Sequence, residues 1–284
     1  MERAYAVDLG GTNLRAALVA RGKVLERNEM PTPCPCPEEK LLAAVKSLIA
    51  SLQGEAERIG IGVPGLVAHG GRVELAPNLG WRHVDVAGLF EREMGTAVLV
   101  ENDANAAAWG EFRFGAGAGA LNLACVTLGT GVGMGLVLRG KLYRGSRGWA
   151  GELGHTGVYS DRMCGCGRIG CLETVVGGAY IRRYLGVSPR ELFRPGQVHD
   201  HLLAERARIT EALGTALANL AQLLDLDLIV LAGRMVQAGP ELIDPVRRQF
   251  ERLVLTKTRL VMGTLGDDAG LVGVADLALL GGKS

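Results

Sequence analysis

The sequence lacks an uninterrupted run of about 18 apolar residues, the length that a membrane-spanning helix needs. It also lacks a basic N-terminal segment followed by an apolar stretch, so it predicts no secretion signal. The sequence also lacks an excess of charge of either sign. It has 31 Lys and Arg and 30 Asp and Glu, which gives a formal net charge of +1. This balance indicates neither nucleic acid nor an anionic membrane as a partner.

Cysteine is too sparse for a disulfide-stabilised protein, with six in 284 residues and no secretion signal. We therefore expect a cytoplasmic location with reduced thiols. Cys34 and Cys36 lie in a proline-rich turn and Cys125 in an apolar strand, and none of the three is assigned a role. Glycine, in contrast, is abundant at 42 residues, against a usual share of about 7%. Much of it follows apolar runs, where turns or close ligand approach need a residue without a side chain.

Apolar periodicity predicts an α/β chain with mixed sheets. In the first half we expect strands at 4–9, 14–20, 22–30, 58–65 and 96–101, with helices at 41–52 and 103–112. In the second half we expect a strand, turn and strand over 121–138, helices at 209–224, 240–252 and 270–280, and strands at 227–232 and 259–264.

A strand, a glycine turn and a return strand occur twice, in VDLGGTNLRAALV (7–19) and VTLGTGVGMGLVL (126–138). The small-residue stretch GAGAGA (115–120) between them has the composition of a crossing between domains. The repetition predicts two domains built on one plan. Two unrelated hairpins are the alternative.

Two segments resemble nucleotide-binding motifs but lack features that those motifs require. Residues 60–65 match G-x-G-x-x-G, but Pro64 and the segment after it do not begin a helix, so no helix N-terminus faces a pyrophosphate. Residues 282–284 resemble the end of a Walker loop, but position 277 is Leu where the first glycine is required.

The two glycine turns are better candidates for binding phosphate. Their backbone N–H groups are unobstructed and can form an anion-binding concavity, and Asp8 can bind Mg²⁺ through water. Ordinary tight β-turns are the alternative for either one. The candidate residues are Asp8, Gly10, Gly11 and Thr12 in the first turn, and Gly129, Thr130, Gly131 and Gly133 in the second.

Asn102 and Asp103 lie where an apolar strand passes into a helix. A carboxylate at the carboxyl end of a strand commonly points into a crevice. The same position suits a helix N-cap. Both interpretations stay open for Asp103.

One His and three Cys, namely His155, Cys164, Cys166 and Cys171, lie within 17 positions. They supply the four ligands of a closed tetrahedral zinc site, which leaves no position open for water. The metal is therefore predicted to be structural. Three buried thiols without a metal are the alternative.

Together these motifs resemble the ROK family of sugar kinases and related repressors. The turn D-x-G-G-T, the segment N-D-A-N, the segment G-E-x-G-H and the segment C-x-C-G-x-x-G-C-x-E follow one another here in the family order. The resemblance covers essentially the whole chain and implies an actin-like (ribonuclease H-like) fold of two lobes around a cleft. It implies a first lobe of residues 1–112 plus 270–284 and a second lobe of residues 113–269.

The resemblance also carries functional roles onto matching positions. Asp103 is expected to be the general base, the two glycine turns to hold ATP phosphates and Mg²⁺, and Gly233 to lie near adenosine. His155 is expected to bind both sugar and zinc, so that zinc fixes the loop bearing Glu173. The expected sugar-binding residues are Gly65, Asn78, Asn102, Asp103, Glu152, His155 and Glu173.

The implied activity is phosphorylation of a hexose hydroxyl, with glucose favoured and N-acetylmannosamine, N-acetylglucosamine, mannose, fructose and allose as alternatives. A homo-oligomer is expected. A repressor of the same family carries an additional N-terminal DNA-binding segment, for which Asp8 leaves no room, and a non-catalytic sugar-binding protein is a further alternative. Two residues depart from the family pattern, Met134 and Arg234, each standing where glycine is usual.

Overall fold

The computed structural model describes residues 2–33, 37–158, 160–196 and 199–281. Within these ranges the strands are β1 (Ala4–Leu9), β2 (Asn13–Ala20), β3 (Lys23–Pro31), β4 (Arg58–Val63), β5 (Leu66–Val67), β6 (Arg72–Ala76), β7 (Trp81–Asp85), β8 (Val98–Asn102), β9 (Leu123–Leu128), β10 (Val132–Leu138), β11 (Lys141–Leu142), β12 (Leu228–Ala232) and β13 (Arg259–Met262). The α-helices of the same ranges are α1 (Glu38–Ala50), α2 (Val86–Met94), α3 (Asp103–Phe114), α4 (Glu173–Val176), α5 (Gly178–Leu185), α6 (Pro189–Leu192), α7 (Asp200–Leu224), α8 (Pro240–Leu253) and α9 (Ala269–Leu279).

The first sheet has the strand order β3-β2-β1-β4-β8. β2 runs antiparallel to β1, whereas β4 runs parallel to β1 and β8 parallel to β4. The central strand β1 is covered on both faces and has the mostly apolar sequence AYAVDL. The edge strand β3 instead alternates exposed and half-buried residues, as expected where one face meets solvent.

The second sheet repeats this plan with the order β11-β10-β9-β12-β13. Its central strand β9 pairs antiparallel with β10 and parallel with β12, which in turn pairs parallel with β13. Each sheet thus begins with a hairpin and continues with two parallel strands on the other side of its first strand. The structural repeat predicted from the two glycine turns is confirmed.

Helices fill the space between the sheets and cover their outer faces. One apolar cluster joins β1 and β2 to α9, and another joins β9 and β12 to α3. The outer face of the first sheet packs on α1 and α2, and that of the second sheet packs on helices that include α7 and α8. The order of layers is therefore helix, sheet, central helix pair, sheet, helix.

The two central helices, α3 and α9, cross at very short range. A Cβ atom at Gly273 of α9 would overlap the carbonyl oxygen of Ala106 in α3, and one at Gly110 of α3 would overlap the carbonyl oxygen of Ala269. Only glycine permits such an approach. The crossing fixes α3, whose first residue is Asp103, relative to both sheets.

Two helices begin earlier than periodicity predicts. α1 starts at Glu38 rather than at residue 41, because its first turn carries two acidic residues that suit a helix N-terminus but add no apolar signal. α7 starts at Asp200 rather than at residue 209. Its first turns are mostly polar and exposed, so apolar periodicity does not register them.

A third sheet was not predicted. Its strands are ordered β5-β6-β7 and antiparallel, and they are short, with interrupted apolar patterns. The residues after Gly65 form β5, which confirms the prediction that no helix follows the motif at 60–65. The other rejected motif, 282–284, and the thiols Cys34 and Cys36 lie outside the described residues.

The glycine stretch 115–120 connects α3 of the first half to β9 of the second, and it is packed rather than open. Cβ atoms at Gly115 or Gly117 would overlap Glu111 and Leu123 respectively. Elsewhere, among the residues that the structure describes, no helix combines the length and the apolar character required to span a bilayer.

Candidate functional site

The carboxyl ends of three parallel strands meet at one edge of the first sheet. Asp8 of β1 lies opposite Gly62 of β4, and Val63 of β4 lies opposite Asn102 of β8. Ligands of open α/β sheets bind in crevices at this edge. The structure therefore brings together Asp8 and Asp103, which were identified from separate motifs.

Asn102, and not Asp103, caps helix α3. The Asn102 side-chain oxygen accepts a hydrogen bond from the N–H of Asn105 at 3.0 Å, and its Nδ2 donates to the carbonyl of Gly65 at 3.0 Å. Asp103 is the first helical residue, and its Oδ1 accepts from the N–H of Ala104 at 2.8 Å. The capping interpretation is thus wrong for Asp103, because Asn102 occupies the cap position.

Asp103 lies in an environment that disfavours its charge. Burial, and then the negative charge of Asp8, raise the pKa of the Asp103 carboxyl to about 7, and the charge of Glu152 acts in the same direction. The hydrogen bond from Ala104 opposes this shift. A carboxyl with such a pKa is suited to accept a proton near neutral pH.

Three charged side chains affect the pKa of Asp8. Burial raises its pKa, the guanidinium of Arg15 opposes that shift, and the more distant charges of Asp267 and Arg234 act in opposite directions. Arg15 Nη1 lies 3.6 Å from Asp8 Oδ2. Arg15 was missed, although Asp8 and Arg15 are equidistant from the turn and pair across the hairpin. Nothing in the sequence links Asp267 to Asp8.

The first glycine turn is held by its own backbone and by Thr32. The N–H of Gly10 donates to the carbonyl of Asn13 at 2.9 Å, and the Thr32 hydroxyl donates to the carbonyl of Gly10 at 2.6 Å. Thr32 N–H also donates to the carbonyl of Thr12 at 2.8 Å. Gly11 and Thr12 are exposed, so their backbone N–H groups are accessible to a ligand.

Asn78 lies beside this turn. It belongs to a short 3-10 helix at Pro77–Leu79, and its Cβ lies 3.6 Å from the position that a Cβ at Gly11 would occupy. The side chain is exposed. Asn78 is therefore next to the same crevice as Asp8.

The second glycine turn is held against the start of α5. The N–H of Gly129 donates to the carbonyl of Gly131 at 3.0 Å. The N–H groups of Gly178 and Ala179 donate to the carbonyls of Gly129 and Thr130, both at 2.9 Å. The turn is consequently a fixed element with its remaining N–H groups available.

The second turn also approaches Asp103. A Cβ at Gly133 would lie 2.9 Å from the Cβ of Ala104, the residue that follows Asp103. Gly233, with a φ of 91°, packs behind the same turn, because a Cβ there would overlap the Leu128 carbonyl. Both glycine turns therefore lie near the beginning of α3.

A cluster of His155, Cys164, Cys166 and Cys171 has the geometry of a metal site. Their ligand atoms all lie within 4.8 Å of one another. Cys164 Sγ is 3.6 Å from His155 Nδ1, and Cys166 Sγ is 3.6 Å from Cys171 Sγ. Ligands at about 2.3 Å from a tetrahedral zinc ion are about 3.7 Å apart. The donor set and spacing fit zinc.

The cluster is connected both to Glu152, a predicted sugar ligand, and to the second glycine turn. His155 Nδ1 faces the thiols, and its Nε2 lies 3.7 Å from Glu152 Oε2. Glu173 Oε2 accepts from the N–H of Val132 at 3.0 Å, at the end of the second turn. Glu173 was predicted only as a sugar ligand, so its contact with the second turn was missed.

An ion pair near Asp103 was also missed. Arg144, which follows β11 in the second half of the chain, donates from Nε to Glu101 Oε2 at 2.6 Å. Glu101 Oε1 accepts from the N–H of Asn102 at 3.0 Å and from Asn105 Nδ2 at 2.9 Å. The pair connects the second half of the chain to the strand end that carries Asn102 and Asp103.

Comparison with known proteins places these features in context. The sequence profile of the ROK family matches residues 4–280. A glucokinase of Streptomyces coelicolor is 34% identical over 306 residues, covering 96% of each chain. An N-acetylmannosamine kinase of Salmonella heidelberg is also 34% identical, over 286 residues, covering 96% of this chain and 97% of the relative.

Solved structures agree with the sequence comparison. A ROK family glucokinase from Streptomyces griseus, in complex with glucose and AMPPNP, superposes with a TM-score of 0.86 and 35% identity, covering 98% of this chain and 99% of that one. The predicted α/β fold, with mixed sheets in two lobes, is confirmed.

Proposed function

The chain belongs to the ROK family and is a sugar kinase, and we propose that it transfers the terminal phosphoryl group of ATP to a hydroxyl group of glucose, giving glucose 6-phosphate. The observation that carries this proposal is the position of Asp103. Its carboxyl lies within electrostatic range of Asp8 in the first glycine turn and of Glu152 in the segment beside the metal cluster. A proton acceptor between a phosphate-binding turn and polar side chains is the arrangement that a sugar kinase requires.

In this proposal Asp103 accepts the proton of the attacking sugar hydroxyl. Glu152, His155 and Glu173 accept or donate hydrogen bonds to other sugar hydroxyls, together with Asn78 and Asn102. Gly65 lies near the ring, and its carbonyl is the acceptor that holds the Asn102 side chain. Fixed polar groups favour a polyhydroxylated substrate, because buried groups left unpaired cost free energy.

The glycine turns position the phosphates of the donor. The exposed N–H groups of Gly11 and Thr12 face the donor from the first sheet, and the second turn at 129–133 faces it from the second sheet. Asp8 would hold Mg²⁺, and that ion would neutralise phosphate charge. Gly233 lies near adenosine. Since phosphoryl transfer depends chiefly on positioning and charge neutralisation, these contacts account for most of the catalysis that we expect.

The metal cluster has a positioning role in the proposal. His155, Cys164, Cys166 and Cys171 would hold zinc with four protein ligands, a set that leaves no position open for a substrate. His155 Nδ1 faces the thiols, which would leave Nε2–H to donate towards Glu152 or a sugar hydroxyl when a metal is bound. The crosslinked loop also fixes Glu173, and through it the second turn.

The acceptor is proposed as glucose because glucokinases are among the relatives and a similar structure contains glucose with AMPPNP. N-acetylmannosamine is the second candidate, because kinases for that sugar are equally similar in sequence. The remaining candidates are N-acetylglucosamine, mannose, fructose and allose. A panel of these sugars in a coupled ADP-release assay, with ATP, GTP and polyphosphate as donors, identifies the pair with the highest kcat/KM.

The variant Asp103→Asn tests the role of the proposed base in the same assay. We expect kcat to fall at least about a hundredfold while glucose binding persists, because the proton acceptor is lost and the shape is kept. Asp85→Asn is a matched control, since Asp85 caps helix α2 through a bond to Gly88 N–H and asparagine caps equally well. Near-normal turnover by Asp103→Asn disproves the role of Asp103. Absence of ADP release by the unaltered protein, across all sugars and donors, disproves the kinase proposal.

The lobe boundaries are also a proposal: 1–112 with 270–284, and 113–269. The packing of α9 on β1 and β2 supports the return of the chain to the first lobe. A cytoplasmic location is proposed because the metal ligands must be reduced thiols. A homo-oligomer remains a prediction, supported by Leu223 and Leu255, which are 82% and 91% exposed near adjoining ends of α7 and α8.

A further inference from the structure

Arg234 lies directly beside the second glycine turn. It follows Gly233, which packs against the Leu128 carbonyl at the start of that turn, and it opens a 3-10 helix at Arg234–Ala238. Its side chain does not fold back onto this helix. Instead, Nη2 reaches Oδ2 of Asp267 at a distance of 3.2 Å.

Asp267 lies on a segment fixed to the other part of the molecule. The segment begins with Thr264 and Leu265, whose N–H groups donate to the buried carboxylate of Glu111 at 3.1 and 2.9 Å. It ends at Asp268, which pairs with Arg27 of β3 at 2.6 Å. The segment is thus held at two points, and Asp267 is presented between them.

The Arg234 side chain consequently extends from a residue beside the second glycine turn to the segment that carries Asp267. The charges of both Arg234 and Asp267 reach Asp8, as their opposite effects on its pKa show. The guanidinium therefore belongs to a residue beside the second turn and acts electrostatically on Asp8 of the first turn, and these are the two turns that we propose to bind the donor phosphates.

The ion pair of Arg234 with Asp267 is weak enough to be exchanged. The two side chains are 59% and 40% exposed, and exposed pairs of this kind add little to stability because water screens them. A guanidinium matches phosphate oxygens with two parallel hydrogen bonds. A phosphate group can therefore replace the Asp267 carboxylate at little cost.

From these contacts we propose that Arg234 is a donor-binding residue, which leaves Asp267 and binds a phosphate of the incoming nucleotide. The inference rests on the kinase activity proposed above and adds a specific contact to it. It also gives a reason for an arginine at a position where glycine is usual in similar proteins. Asp267 holds the Arg234 guanidinium near the proposed donor-binding site when no donor is bound.

The test compares Arg234→Gln with Arg234→Lys and with Arg27→Gln. We expect Arg234→Gln to raise the KM for MgATP about tenfold, the loss of one charged contact, with kcat within about threefold and the sugar KM unchanged. The KM of Arg234→Lys for MgATP should lie between those of the unaltered protein and Arg234→Gln, because lysine keeps the charge but loses the paired donors. Arg27→Gln breaks the neighbouring pair on the same segment and should leave the donor KM within about twofold.

Direct binding separates this contact from an effect on turnover. Titration calorimetry with Mg-AMPPNP should show a dissociation constant about tenfold weaker for Arg234→Gln than for the unaltered protein. An unchanged constant overturns the proposal. An equal loss for Arg27→Gln also overturns it, because the ion pair would then serve only to hold the segment.

The two proposals fail in different ways. If the unaltered protein releases ADP with a sugar but Arg234→Gln has the same donor KM, only the role of Arg234 is wrong. If the unaltered protein neither turns over nor binds Mg-AMPPNP, the kinase proposal is wrong and the role of Arg234 falls with it.

Discussion

Asp103 is the residue in which local structure and chemistry are most closely linked. Because Asn102 caps the helix, the Asp103 carboxyl does not serve as the cap, and its Oδ1 accepts from the N–H of Ala104. Burial and the nearby Asp8 then disfavour its charge. Such a group is costly to keep ionised in the folded protein, and a proton acceptor is the role that explains keeping it.

The raised pKa of Asp103 predicts how activity depends on pH. The base acts only when ionised, so kcat/KM should rise with pH up to about 7 and level off above it. Activity at pH 6 should be about tenfold lower than at pH 8. Asp8→Asn removes a like charge and should move this rise to lower pH. A pH profile taken with excess Mg²⁺ checks both, and a rise centred near pH 4 in the unaltered protein contradicts the assignment.

At the scale of single residues, the sequence predicted which side chains meet only where those residues lie close together in the chain. His155, Cys164, Cys166 and Cys171 lie close together in the chain, and the structure brings all four together. The Arg234 contact with Asp267 joins segments 33 positions apart along the chain, and its existence depends on how the two sheets are placed. No local pattern carries that information.

Among the elements, the crossing of α3 and α9 determines where the candidate base lies. Both helices are rich in small residues, and Gly110 and Gly273 bring their backbones into contact. Since α3 starts at Asp103, a change in the crossing also moves the cleft. Packing far from the cleft therefore affects its geometry.

Gly273→Ala should destabilise the protein, because the added methyl group overlaps Ala106 and forces the helices apart. We expect a loss of about 2 kcal/mol or more, seen as a fall in Tm of roughly 4–8 °C. Gly270→Ala in the same helix is the matched control. A Cβ there meets nothing within 4 Å, so its Tm should be equal or higher. Equal Tm values for the two variants contradict the crossing described.

The zinc-binding loop is a second element that can be tested alone. Cys166→Ser should lose bound zinc and raise the KM for the sugar, because His155 and Glu173 are no longer fixed. Metal content by mass spectrometry and sugar kinetics measure the two effects. Cys125→Ala, which removes a buried thiol outside the cluster, should keep its zinc. Full zinc retention by Cys166→Ser disproves the ligand set.

Long elements with a strong period were predicted, whereas the short amphipathic helices α2 and α5 and several short or polar elements were not. The hairpins β1–β2 and β9–β10 have uninterrupted apolar strands around glycine turns, and both were identified. The sheet of β5, β6 and β7 was missed, because β5 has two residues and β7 places a buried Trp81 and Val84 among exposed polar residues. The polar beginning of α7 was missed for a similar reason.

For the whole molecule, the proposed sugar site combines segments from both halves of the chain. Asn78 and Asn102 come from the first half, whereas Glu152, His155 and Glu173 come from the second. A bound sugar therefore connects the two parts, as the Arg144–Glu101 ion pair already does. Binding should stabilise the folded protein as a unit.

Glucose at about a hundred times its dissociation constant should add about 2.7 kcal/mol to the free energy of unfolding. For a chain of this size that corresponds to a rise in Tm of roughly 5–10 °C. Differential scanning fluorimetry measures it, with L-glucose as the control that should produce no shift. A rise with N-acetylmannosamine larger than that with glucose, at equal concentration, would favour the alternative acceptor.

The packing of α9 on β1 bears on how the protein folds during translation. Ala4 and Ala6 are synthesised long before the helix that covers them, Ala269–Leu279. The second sheet needs only residues between Leu123 and Met262 for its strands. The strands of the first sheet are all made by Asn102, but we expect this sheet to gain its full cover only after the strands of the second sheet are complete. Until then the nascent first sheet exposes an apolar face that a chaperone can bind.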